Sequence, residues 1–124
     1  MWMTDIDNNV PVFIKYTLAR PDLTLPAKVV SVHTDIRPYR DALTAWSEVS
    51  GKRAEFITVP DESYIKLLGV FGKELADQFH LNEQEPDWAK GRGEGEVVTA
   101  KELGIPDSEL LDYRQSLEAN KEKL

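Results

Sequence analysis

His33-Thr34-Asp35-Ile36-Arg37-Pro38-Tyr39-Arg40 holds the densest run of side chains able to do chemistry. His33 is an imidazole with an ordinary pKa of about 6.5, suited to moving protons near neutrality. Asp35 two residues on could orient or recharge it, and Tyr39 adds a phenol, so His33, Asp35 and Tyr39 form the candidate catalytic set. Arg37 and Arg40 could hold an anionic or phenolic ligand. Tyr16, Tyr64, Trp2 and Trp88 are the aromatic residues available to line a pocket for it. The same residues admit a plainer account. His33 is then a satisfied strand-end histidine, Asp35 a helix cap and Arg37 a solvated charge. Asp5 and Asp7 both precede a helix, where capping and the helix dipole explain them without further function.

Other chemistries find little support. Gly91-Arg92-Gly93-Glu94-Gly95 follows no strand and opens no clear helix, and Glu94 and Glu96 would repel a phosphate. Gly69-Val70-Phe71-Gly72 lies within a helical pattern, where the amides are already bonded. No Tyr-x-x-x-Lys pair occurs, so no nicotinamide cofactor is expected. His33 and His80 are the two histidines of the chain. They are far apart and belong to no metal-ligand spacing, so no metal is expected either. Cysteine is absent, which removes thiol catalysis and disulfides.

Composition bounds the rest. The chain has 124 residues and a net charge of −7. That length suits one domain over residues 1–124, with 92–124 as partly flexible or peripheral helices. The acidic balance repels phosphate backbones, so no nucleic-acid partner is expected. No apolar run reaches the ~18 residues of a bilayer span. Met1-Trp2-Met3-Thr4-Asp5 lacks the basic end and apolar stretch of a secretory signal. A cytoplasmic protein without a membrane partner is the expectation.

The elements that must carry these residues follow from periodicity. Val10, Phe13, Ile14, Thr17 and Leu18 make one stripe of a first helix, with Asn8 or Asn9 as its cap. Pro21 and Pro26 bracket a loop. Ala27 to His33 reads as a buried strand, leaving His33 at its carboxyl end, where α/β proteins tend to place ligands. A second helix carries Tyr39, Ala42, Leu43 and Trp46 on one face and ends at Gly51. Arg53 to Val59 alternates polar and apolar residues, the pattern of a half-buried strand stopped by Pro60. Asp61 caps a third helix with Tyr64, Leu67, Leu68, Phe71, Leu75 and Phe79 on its buried side. Gly69 and Gly72 within it mark close packing against another backbone. The segment from Gln84 to Glu96 is polar and mobile. Thr99 and Glu102 form a capping box ended by Gly104, and Asp107 or Ser108 opens a last helix with Leu110, Leu111 and Leu117. The expectation is a helix-rich α/β (α+β) fold without a Rossmann nucleotide-binding half. About five helices pack on a two-stranded sheet, or on one completed across a dimer.

Asp5-Ile6-Asp7 leading into a helix, the Lys28–His33 strand, Trp46-Ser47-Glu48-Val49-Ser50-Gly51-Lys52, the Ala54–Val59 strand and Gly72-Lys73-Glu74-Leu75-Ala76 occur in an order that resembles the C-terminal half of NmrA-like proteins. These are atypical relatives of the short-chain dehydrogenase/reductases. The resemblance runs from about Asp5 to about Leu117. It implies a free-standing substrate-side half without the glycine loop for NAD(P). The implied function is a cofactor-independent cyclase, isomerase or addition enzyme acting on an aromatic or polyketide-like substrate in fungal-type secondary metabolism. A regulatory or protein-binding module is the alternative. A homodimer is expected, because nothing in the chain replaces the missing half over the wide apolar faces of its helices.

Overall fold

The structure is a computed structural model that describes residues 2–87, 89, 92 and 95–124. Among these, helices dominate: α1 (Asn9–Ala19), α2 (Pro21–Thr24), α3 (Tyr39–Ser50), α4 (Asp61–Leu68), α5 (Val70–Gln84), α6 (Ala100–Leu103) and α7 (Tyr113–Ala119). Four two-residue strands accompany them: β1 (Trp2–Met3), β2 (Val29–Val30), β3 (Asp35–Ile36) and β4 (Val97–Val98). The fold is therefore helix-rich α+β, as the sequence predicts. The strands pair differently from expectation. β2 lies parallel to β4, with Val29 opposite Val97, and β1 lies antiparallel to β3, with Trp2 opposite Ile36.

Arg53 to Val59 forms no strand, although its alternation predicts one. An alternating segment needs a neighbour to complete its ladder, and this stretch finds none among the described residues, leaving Phe56, Ile57 and Val59 exposed. β2, at the centre of the predicted Ala27–His33 strand, pairs instead with Val97 and Val98, which follow the polar segment read as mobile. Of that segment, Trp88, Lys90, Gly91, Gly93 and Glu94 lie outside the described residues. Pro21 to Thr24 winds into a short helix where a loop is predicted.

Two apolar clusters hold the elements together. Phe13, Val98, Leu103 and Ile105 form one, with Val12, Tyr16, Val30 and Val32 packed around them. Burying a side chain such as Phe13 contributes about 1.5–3 kcal/mol. The buried stripe of α1 thus runs through Asn9 and Phe13, while Ile14 and Leu18, predicted to be inside, are 53% and 76% exposed. The second cluster is Ala45, Val49 and Leu117, with Trp46 and Tyr113 against it, and it joins α3 to α7.

Polar staples reinforce both clusters. Asn9 is fully buried. Its Nδ2 donates to the Leu111 carbonyl and its Oδ1 accepts the Leu111 N–H, both at 2.8 Å. Asn9 therefore ties α1 to the chain entering α7 rather than capping its own helix. Asn8 holds the cap position but makes no side-chain cap bond. Asp5 accepts the Asn8 N–H at 2.8 Å and the Ser116 hydroxyl, so one carboxylate steadies the start of α1 and grips α7. The Ser116 hydroxyl is the main reason its pKa lies below the ordinary value.

The predicted third helix is two helices. Gly69 breaks it at φ 65°, ψ −141°, a conformation open to glycine, and α4 folds back on α5 as a hairpin. Gly72 then sits under α4. A Cβ there would lie 2.9 Å from both the Leu68 Cβ and the Tyr64 carbonyl oxygen. The close approach predicted for this glycine exists, and its partner is the neighbouring limb of the same hairpin. The turn leaves Leu67, Leu68 and Phe71, predicted to be buried, exposed at the tip together with Val70. Further on, Thr99 and Glu102 make the predicted capping box, and Gly104 ends α6 at φ 75°. The last helix starts later than predicted, at Tyr113, because Asp112 and Gln115 form a second capping box; Asp107–Glu109 is a separate 3-10 turn.

Candidate functional site

His33 lies just past β2, and local partners occupy it. Its Nδ1 is 2.7 Å from the Ser31 hydroxyl, and its ring packs on Trp2 with centroids 3.9 Å apart. The Trp2 indole N–H donates to the Pro86 carbonyl at 2.8 Å, which brings the chain after α5 over this corner. Burial lowers the His33 pKa from its ordinary value, and the nearby carboxylates of Asp87 and Asp35 oppose that shift. Asp35 commits its two oxygens elsewhere. One accepts from Arg37 Nε at 2.9 Å, and the other accepts the backbone N–H of Tyr113 at 2.6 Å, at the first turn of α7. Arg37 is thereby engaged at the same carboxylate.

Other predicted ligand residues scatter. Tyr16 donates its hydroxyl to Glu109 at 2.7 Å, beside a Lys15–Glu109 ion pair. That bond to Glu109 raises the pKa of the phenol. Arg40 stacks over the Phe56 ring, 4.7 Å from its centroid. Trp88 lies outside the described residues.

Tyr39 and Tyr64 are brought together. They line a cleft of about 360 Å3 between α3, the α4–α5 hairpin and the unpaired 56–59 segment, with Phe79 and His80 from α5, and with Asp61 and Glu83. Tyr39 meets the Phe79 ring edge-on at 5.2 Å, and Tyr64 lies 6.0 Å from it. Burial raises the Tyr39 pKa, a hydrogen bond with Asn82 offsetting part of the rise, so the phenol stays protonated as a donor. At the cleft's edge, His80 Nε2 is 2.7 Å from Asp61 Oδ2, and its Nδ1 is 3.8 Å from Glu83 Oε2. The hydrogen bond to Asp61 and that carboxylate's charge raise the His80 pKa. Acceptance by a carboxylate selects the tautomer carrying its proton on Nε2, so Nδ1 is the nitrogen free to exchange protons. Neither His33 nor Asp35 lines this cleft.

His80, Asp61 and Phe79 were not singled out by their spacing. Asp61 and His80 lie 19 positions apart and meet only because Gly69 folds the hairpin. Gly69, predicted to be a packing point inside one helix, is the residue that would have signalled this turn. A larger hollow, about 520 Å3, lies against Glu118 to Lys123. It gathers charged, solvated residues with no aromatic wall. Among the described residues, no cluster of histidine, aspartate and glutamate side chains could hold a metal ion, and no helix is long and apolar enough to cross a membrane. Comparison of the chain with protein-family profiles, with curated proteins and with solved structures finds no match in any of the three.

Proposed function

We propose that this chain is a cofactor-independent acid–base enzyme acting on an aromatic or polyketide-like small molecule, with the cleft of Tyr39, Tyr64, Phe79 and His80 as its site. The observation that carries the reading is the His80–Asp61 pair, 2.7 Å apart, on the wall of a cleft lined by the aromatic rings of Tyr39, Phe56, Tyr64 and Phe79. Flat rings favour a planar ligand. Neutral His80 takes a proton at Nδ1 from the carbon beside a substrate carbonyl. The C–H electron pair moves to the carbonyl oxygen, where a tyrosine hydroxyl donates a hydrogen bond. The imidazolium, held by Asp61, returns the proton at another position. Nothing is oxidised or reduced, which suits an isomerisation or cyclisation. The kinship with the substrate-side half of NmrA-like proteins belongs to the same proposal and rests on the segments quoted from the sequence, as does a cytoplasmic, secondary-metabolic setting.

The test is exchange of the α-protons of 2-tetralone into D2O, followed by proton NMR. The protein should exceed the rate of an equal concentration of free imidazole. His80→Gln should remove about 100-fold or more of the excess, the usual share of a general base. Exchange no faster than free imidazole, or unchanged in His80→Gln, refutes the enzyme reading.

A second reading, a binding module that assembles as a homodimer, is favoured by a separate observation. Leu67, Leu68, Val70 and Phe71 cluster at the hairpin tip, with Leu67 78% and Phe71 63% exposed. A second copy of the chain is the occupant proposed for this tip, because the same four apolar side chains can face each other across a two-fold axis.

A further inference from the structure

The charge lining the cleft narrows the ligand class beyond its flat shape. We propose that the ligand carries a protonated or quaternary amine beside its aromatic body. The inference rests on the cleft being a small-molecule site.

Among the described residues, two carboxylates, Asp61 and Glu83, line the cleft, and neither lysine nor arginine does. His80 is the one described lining group that can be positive. Protonated, it balances a single carboxylate; neutral, it leaves both uncompensated. The wall is therefore negative in either state. Arg40 stacks over Phe56, which also lines the cleft, but it sits in a neighbouring hollow that holds two carboxylates of its own, Glu48 and Glu55. An anionic ligand would meet like charge, with neutral hydroxyl donors but, among the described residues, no lysine or arginine to pair it. A cation meets opposite charge and the electron-rich faces of Tyr39, Tyr64 and Phe79, the combination that selects ammonium groups. The net charge of −7 acts in the same direction at longer range.

Both contributions are modest at an open site: a cation over an aromatic face and an exposed ion pair together favour a cation by about tenfold over a neutral isostere. Three probes sharing one ring system separate the outcomes: 2-naphthylmethanol, 2-naphthylmethyl-trimethylammonium and 2-naphthoate. Each is titrated calorimetrically into the full chain at pH 7.5 and low salt. The ammonium probe should bind about tenfold tighter than the alcohol, and the carboxylate more weakly than either. Glu83→Gln should narrow the gap between cation and alcohol, and so should added salt. Binding of the alcohol as tightly as the ammonium probe overturns the inference and leaves the aromatic cleft reading standing. Failure of all three to bind overturns both.

Discussion

Asn9→Ala separates two readings of one residue. A helix cap is worth about 1 kcal/mol. The structure makes Asn9 a staple: fully buried, with its amide exchanging two hydrogen bonds of 2.8 Å with the Leu111 backbone. Truncation to alanine removes both bonds and leaves a donor and an acceptor on Leu111 unpaired beside a new void. Each bond contributes about 1 kcal/mol net, and each group left unsatisfied costs about 1–3 kcal/mol. Leu111 is half-buried, so water recovers part of that penalty. A loss of about 3 kcal/mol follows. With a urea slope of about 1–3 kcal/mol per molar, the midpoint should fall by roughly 1–3 M, read by circular dichroism. Asn8→Ala is the control. Its side chain makes no cap bond, so the loss should stay under about 1 kcal/mol. Equal small losses in the two variants would refute the staple and return Asn9 to the role of a cap.

Two further outcomes can be checked directly. The histidines should titrate on opposite sides of the ordinary value of 6.5, His80 above it through Asp61 and His33 below it through burial, in NMR spectra assigned with His80→Gln. For His80 the folded pKa is raised, so its stabilisation is present below 6.5 and lost as pH rises through the folded value. For His33 it is depressed, so stability is lost as pH falls from 6.5 toward the folded value. His33 titrating above His80 would overturn both assignments. Light scattering at micromolar concentration should give a mass near twice 14.1 kDa, and Phe71→Ser should halve it. A monomer in the parent protein sinks the proposed pairing of hairpin tips.

Much of the helical layout was legible because a helix closes its bonds within four residues. The stop of α3 at Gly51, with φ 71°, and the Thr99–Glu102 box of α6 are local events written in adjacent residues. The buried faces were less legible. Periodicity places Phe13, Ile14 and Leu18 on one stripe, yet only Phe13 meets the Val98–Leu103–Ile105 cluster, because the sides of α1 that are covered depend on where β4 and α6 arrive. Of the candidate site, Tyr39 and Tyr64 were named from type alone. Their common neighbour Phe79 and the His80–Asp61 pair depend on the fold-back at Gly69.

By itself the sequence determined the helix-rich class, the main helix stops and the excess of negative charge, since each is a property of neighbouring residues or of their sum. Only the tertiary structure decided that Ala54–Val59 pairs with no strand among the described residues, that Asn9 reaches Leu111 across 102 positions, and that Asp61 and His80 share a cleft with Tyr39. A sheet ladder, a buried staple and a cleft each need groups distant in the chain to converge. No local periodicity specifies which distant groups those will be.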